Sequence, residues 1–130
     1  AIVAGLGLWM SCFGAASADE APLENYQWVN RPVIVFADSE RDPRFVEQMA
    51  DFARRTADLE ERDVVLLTDT DPAAKGPLRQ QLRPRGFQLI LIGKDGEIKL
   101  RTPHPIEVDA LNRHIDRMPM RKREMRGGQD

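Results

Sequence analysis

Arg31-Pro32-Val33-Ile34-Val35-Phe36-Ala37 contains an apolar, largely β-branched run with no polar interruption from Val33 onward. A strand with one wet face alternates apolar and polar residues, so an unbroken run reads as a central strand buried on both faces. Asp38 to Asp42 is a polar loop, and Asp42-Pro43 is a strong helix start: an N-cap oxygen, then a residue whose missing N–H costs nothing there. The helix is expected to reach about Glu61, with Phe45, Met49, Phe52, Thr56 and Leu59 on one stripe and charge on the other face. Val64-Val65-Leu66-Leu67-Thr68 is a second buried strand. Strand, helix, strand at this spacing requires a parallel, right-handed crossover.

Toward the C-terminus, Asp69 to Gly76 reads as loop, Pro77 to Leu82 as a short helix and Arg83-Pro84-Arg85-Gly86 as a turn. Phe87-Gln88-Leu89-Ile90-Leu91-Ile92 is a third strand, joined through Gly93-Lys94-Asp95-Gly96 to Glu97-Ile98-Lys99-Leu100-Arg101, and the Asp-Gly pair marks a hairpin. Pro105 sets φ for a last helix with Val108, Leu111, Ile115 and Met118 on its inner face. Toward the N-terminus, Leu23, Tyr26 and Trp28 are isolated large residues in a polar arm, and Trp28 is expected to anchor that arm on the domain edge. The chain thus divides into a leader (1–18), an arm (19–31), one α/β domain (32–118) and a basic C-terminal tail (119–130).

The leader carries no charge, is apolar from Ala1 to Phe13 and ends in Ala16-Ser17-Ala18 before Asp19-Glu20. That is the pattern of a signal peptide cut after Ala18, and it predicts an exported protein, periplasmic or secreted, with no stable membrane span once cut. An uncut anchor is the alternative, since about 18 uncharged residues just reach spanning length. Lipidation at Cys12 fits less well, because Trp9-Met10-Ser11 is bulky where such signals are small. Cys12 is the only cysteine, so the mature chain would hold no thiol and no disulfide. The formal net charge is −2, but residues 19–116 carry 14 basic and 19 acidic side chains and 117–130 carry 5 and 2. This distribution predicts no nucleic-acid binding and places the charge asymmetry in the tail.

The order βα-β-(α)-ββ-α resembles that of thioredoxins, which implies a thioredoxin-like three-layer sandwich: a βαβ unit followed by a ββα unit. Aligning Lys94-Asp95-Gly96-Glu97 with the lysine-turn-glycine hairpin of thioredoxins puts Gln88 at the family's cis-proline position. The two redox cysteines would fall near Glu40 and Pro43. The resemblance therefore implies a fold without thiol exchange or thiolate peroxidase chemistry. More closely, Leu23-Glu24-Asn25-Tyr26-Gln27-Trp28, Asn30-Arg31-Pro32, Gly93-Lys94-Asp95-Gly96 and Met118-Pro119-Met120-Arg121 with Glu124-Met125 resemble a bacterial exported family known only as a domain of unknown function. That family is related to a peroxiredoxin-like module of animal secreted sushi-repeat proteins. The resemblance spans nearly the whole mature chain and implies fold and export but no activity.

Two clusters could carry function. Asp38, Glu40 and Asp42 follow the first strand and Asp69 and Asp71 the second, at the carboxyl ends where α/β sheets bind ligands. A divalent metal on Asp38, Asp69 and Asp71 is the enzymatic reading, and Leu66-Leu67-Thr68-Asp69-Thr70-Asp71 also looks like the Asp-x-Asp strand end of toprim nucleases and primases. A solvated loop with an N-cap is the simpler reading. In the tail, Arg117, Arg121, Lys122, Arg123 and Arg126 surround Met118, Pro119, Met120 and Met125. Such a cluster suits a partner bearing carboxylates or phosphates, an envelope protein or an anionic surface, or else complements a helix dipole. Soft-metal binding by Met118, Met120 and Met125 with His104 and His114 is less favoured than core packing. No nucleophile motif is present, and Ser39 lacks the glycine-flanked elbow that exposes a serine. The sequence thus points to a non-enzymatic binding module without a cofactor, using either the former redox edge with Gln88 or the basic tail.

Overall fold

In the computed structural model of the protein, which describes residues 16–17 and 22–127, the apolar run lies in strand β2 (Arg31–Phe36), buried along its whole length. Strand β3 (Val64–Asp69) pairs parallel to it, with Arg31 opposite Val64 and Phe36 opposite Asp69. Strand β4 (Gln88–Ile92) pairs antiparallel on its other side, and β5 (Ile98–Thr102) antiparallel on β4. Two residues, Ala16–Ser17 (β1), pair parallel with the outer edge of β3, so the order is β1-β3-β2-β4-β5. The rest of the expected leader, residues 18–21, and residues 128–130 of the tail lie outside the described residues.

Side chains alternate across a strand, so an uninterrupted apolar strand needs cover on both faces. On one face Val33, Val35, Leu66, Leu89 and Leu91 meet Phe52, Leu59, Val108, Leu111 and Ile115 from α1 (Pro43–Arg54), α2 (Thr56–Glu61) and α4 (Val108–Asp116). On the other, Ile34, Phe36, Leu67, Ile90 and Ile92 meet Leu78 and Leu82 of α3 (Pro77–Leu82), with Leu23 and Tyr26 of the arm beside them. This is the three-layer α/β sandwich expected from the sequence. The hairpin is also where the Asp-Gly pair put it, with Gly96 at φ 85° in the left-handed region.

Four local features differ from expectation. The long helix breaks at Arg55 (φ −127°, ψ 32°), whose guanidinium pairs with both Asp58 and Asp109. The last helix starts at Val108 rather than at Pro105, because side chains of α1 already satisfy the backbone there. Gln48 bonds both the N–H and the carbonyl of Ile106, and Asp51 accepts from the N–H of Val108 at 2.8 Å. The tail contains a helix, α5 (Pro119–Met125), with Pro119 at its first position. Finally, Arg31 is not arm but the buried first residue of β2, and Trp28 is no anchor: it is 62% exposed. Its backbone is left-handed (φ 70°), held by its N–H donating to the Lys94 carbonyl at 2.6 Å.

Candidate functional site

The edge that the resemblance to thioredoxins singles out is built where β2 and β3 end. Asp42 caps α1 by accepting from the N–H of Arg44 at 2.9 Å, and the Arg44 guanidinium folds back onto both of its carboxylate oxygens. That hydrogen bonding holds the Asp42 carboxyl below the usual carboxylate range. Arg44 also lies over the Phe87 ring, 5.6 Å from its centre. Glu40, which the resemblance to thioredoxins sets near one redox cysteine, is exposed in the loop, and Pro43, set near the other, is the first residue of α1. The Ser39 hydroxyl accepts from the N–H of Arg41, a turn contact. Gln88 opens β4 opposite Phe36, its side-chain oxygen accepting from Arg101 at 3.0 Å, and no peptide bond among the described residues is cis.

The acids of the metal reading already have an arginine among them. Asp69 is turned to Arg79, which donates Nε to its carboxylate at 3.0 Å and Nη2 to the carbonyls of Ala37 (2.7 Å) and Asp69 (3.1 Å). The same Asp69 oxygen accepts from the N–H of Asp71, while Asp38 and Asp71 themselves are exposed. The guanidinium thus stands at the strand ends where a divalent cation would have to sit, and it rests on the Phe36 ring at 5.4 Å. Among the described residues no three His, Cys, Asp or Glu side chains are grouped to hold a metal.

The opposite pole holds a knot of charge that sequence reasoning missed. Arg31, fully buried, grips Glu124 of α5 with both Nη atoms (3.2 and 3.0 Å) and donates to the Arg62 carbonyl at 2.8 Å. Lys94 of the hairpin reaches the same Glu124 at 2.7 Å and Asp63 at 2.8 Å. Arg121 is 4% exposed and bonds Asp116 and Glu61, and Arg62 takes both oxygens of Asp116 at 3.0 Å. Arg121 therefore does not belong to the partner-binding face to which it was assigned: its guanidinium fastens α5 to α2 and α4. The available signal was an arginine placed directly before a buried strand, which demands a carboxylate somewhere in the fold.

The knot sets a pH dependence. The Arg62 guanidinium beside Asp116 holds its carboxyl below the usual range, against the opposing effect of burial and with help from Arg121. Burial pushes the Glu124 carboxyl up, but hydrogen bonds from Arg31 and Lys94 together outweigh it and hold it low. Both groups bind a proton less readily folded than unfolded. Their contribution is therefore complete above about pH 5 and is lost as pH falls past the ordinary carboxylate values near 4. Urea denaturation across pH 3 to 7 is expected to show a plateau above about pH 5 and a fall below it. A fall on going from pH 5 to 7 would contradict the assignment.

With Arg121 and Glu124 turned inward, the outer side of α5 is simple. Arg117, Lys122, Arg123 and Arg126 are exposed, and no exposed side chain between 117 and 127 is acidic. Met125 is also exposed, and Trp28 and Val29 stand out at the same pole, where the Trp28 N–H meets the backbone of Lys94. Of the five residues expected to bind a partner, the fold presents four on its surface.

Comparison with known proteins agrees with this geometry at the level of fold. The solved structures that match include the mitochondrial 2-Cys peroxiredoxin of Plasmodium falciparum (16% identity, 82% of this chain and 84% of that one, TM-score 0.55). They also include the reduced 2-Cys peroxiredoxin of Plasmodium vivax (14%, 79% and 84%, 0.59) and thioredoxin peroxidase I of Plasmodium yoelii (16%, 79% and 79%, 0.54). At these identities the likeness is one of fold alone. No curated protein matches the sequence. The match that spans arm, sandwich and α5 together, from residue 22 to residue 124, is to a family described as a domain of unknown function, DUF4174, and it is to this family that the chain belongs.

Proposed function

We propose that the protein is a non-enzymatic binding module, exported to the bacterial envelope, and that it engages an acidic protein or anionic surface through the outer side of α5. The observation that carries this reading is the sorting of charge along residues 117–127: the one acid, Glu124, is spent inside, and the exposed charges are all cations. A face whose exposed charges are all basic stands out on a chain of net charge −2, and guanidinium groups favour carboxylate and phosphate oxygens. Exposed Trp28, Val29 and Met125 supply apolar contact at the same pole, as interaction surfaces commonly do. The signal-peptide pattern supports export. At the other end of the sheet, Glu40 and Pro43 are the residues that the resemblance to thioredoxins sets near the redox cysteines, and Arg44 and Arg79 already pair with Asp42 and Asp69. No helix among the described residues is long and apolar enough to cross a membrane.

The test is affinity capture from envelope extract with the native chain and with a Lys122→Gln, Arg123→Gln, Arg126→Gln variant. The variant is expected to keep its folding stability within about 0.5 kcal/mol, as exposed substitutions do, and to lose the captured protein or lipid. Trp28→Gly is expected to behave in the same way, because the ring is exposed and glycine relieves the left-handed φ. Equal capture by all three proteins would remove this surface from consideration.

A further inference from the structure

We infer that the cavity between the arm, α3 and the β4–β5 hairpin is a binding site for a small amphipathic cation of the alkylammonium class. It lies on the sheet face opposite α1, α2 and α4, has a volume of about 350 Å³, and is independent of the α5 surface. Its walls include Leu82 of α3, Ile92 of β4 and Ile98 of β5, and its polar members are Glu24, Gln27 and Gln81. Small-ligand sites reach this size, and here polar groups share the lining about equally with apolar walls and can orient a guest that has both characters.

Four observations select the chemistry of that guest. Glu24 is the only ionisable side chain lining the cavity, so the charge it recognises is positive. Unlike Asp63, Asp69, Asp116 and Glu124, the Glu24 carboxylate has no cationic partner among the described residues. The Gln27 side-chain N–H donates to the Asp95 carbonyl at 3.0 Å, which pins that amide beside the hairpin and leaves its oxygen as an acceptor. Ile98 is 47% exposed, apolar surface that an alkyl tail would cover. An ammonium head at Glu24 with its tail toward Leu82, Ile92 and Ile98 satisfies all of these at once. A carboxylate ligand would meet Glu24 with like charge.

The experiment titrates the full chain with hexylammonium, hexanoate and hexanol, followed by calorimetry and by amide shifts in ¹⁵N spectra. Hexylammonium is expected to saturate, with the largest shifts at Gln81, Gly93 and Gly96, hexanol to bind more weakly at the same place, and hexanoate not to bind. Glu24 is exposed, so Glu24→Gln keeps the fold. It is expected to weaken hexylammonium about tenfold while leaving hexanol unchanged, the loss of one charge-assisted contact. Equal binding of hexanoate, shifts confined to other surfaces, no binding at all, or an indifferent Glu24→Gln variant would each overturn the assignment.

Discussion

Glu124→Gln is expected to destabilise the folded chain by about 3 kcal/mol, the cost of removing one partner from a buried ion pair. The side chain is nearly isosteric, so the effect isolates charge. Arg31 has 1% of its side chain exposed and Lys94 9%, and both bond the Glu124 carboxylate, Arg31 at both oxygens and Lys94 at Oε2. Water cannot take the place of the lost carboxylate around Arg31, whose Nε is already buried without a partner. A glutamine amide can accept from one cation but turns its own donors toward the other. Lys94→Met alone is expected to cost less, because Arg31 keeps its bidentate contact with Glu124. The double variant is expected to fall short of the sum of the two by more than 1 kcal/mol, the mark of residues acting through one network. Urea titration of the four proteins measures this. Additive losses, or a Glu124→Gln change under about 0.5 kcal/mol, would show that α5 is held by something other than this knot.

The same network explains why the sequence revealed the sandwich but not its fastening. Val33 to Ala37, Val64 to Thr68 and Phe87 to Ile92 announce buried strands by composition alone, and the spacing of Phe52, Leu59, Val108, Leu111 and Ile115 places the helical layer. These are local or periodic signals. The break at Arg55 carries no proline or glycine and coincides with an ion pair to Asp109, 54 residues away. The delayed start of α4 depends on Gln48 and Asp51, 57 to 58 residues earlier. Contacts of that range leave no pattern in a single chain. The basic tail shows the difference most clearly. Arg121 and Lys122 are neighbours of like charge in the sequence, yet one is buried against Glu61 and Asp116 and the other faces water. Composition detects the cluster, and only the helix direction divides it into a fastening side and a presenting side. Pro119, a favourable first helical residue, was the one legible sign that the segment is helical.

At the other end of the sheet, Arg79→Met is expected to cost about 2 to 4 kcal/mol and to separate the two functional classes that the sequence left open. The methionine keeps the packing over Phe36 but withdraws the donors from three acceptors: the Asp69 carboxylate, of which 9% is exposed, and the carbonyls of Ala37 and Asp69. If these acids served a catalytic metal, the native chain would be stabilised by that metal in proportion to its occupancy, and Asp69→Asn would abolish the effect. With a guanidinium already bonded to Asp69 and to both strand ends, millimolar Mg²⁺ is instead expected to leave the native melting temperature unchanged. The geometry gives a reason for that indifference: a cation entering here must displace three hydrogen bonds and a ring contact to gain one shielded carboxylate and two exposed ones. A metal-dependent rise in the native chain, lost in Asp69→Asn, would reverse this conclusion and return the strand ends to catalysis. An unresponsive native chain alongside a destabilised Arg79→Met variant makes this edge part of the scaffold and leaves recognition to the surfaces elsewhere on the sandwich.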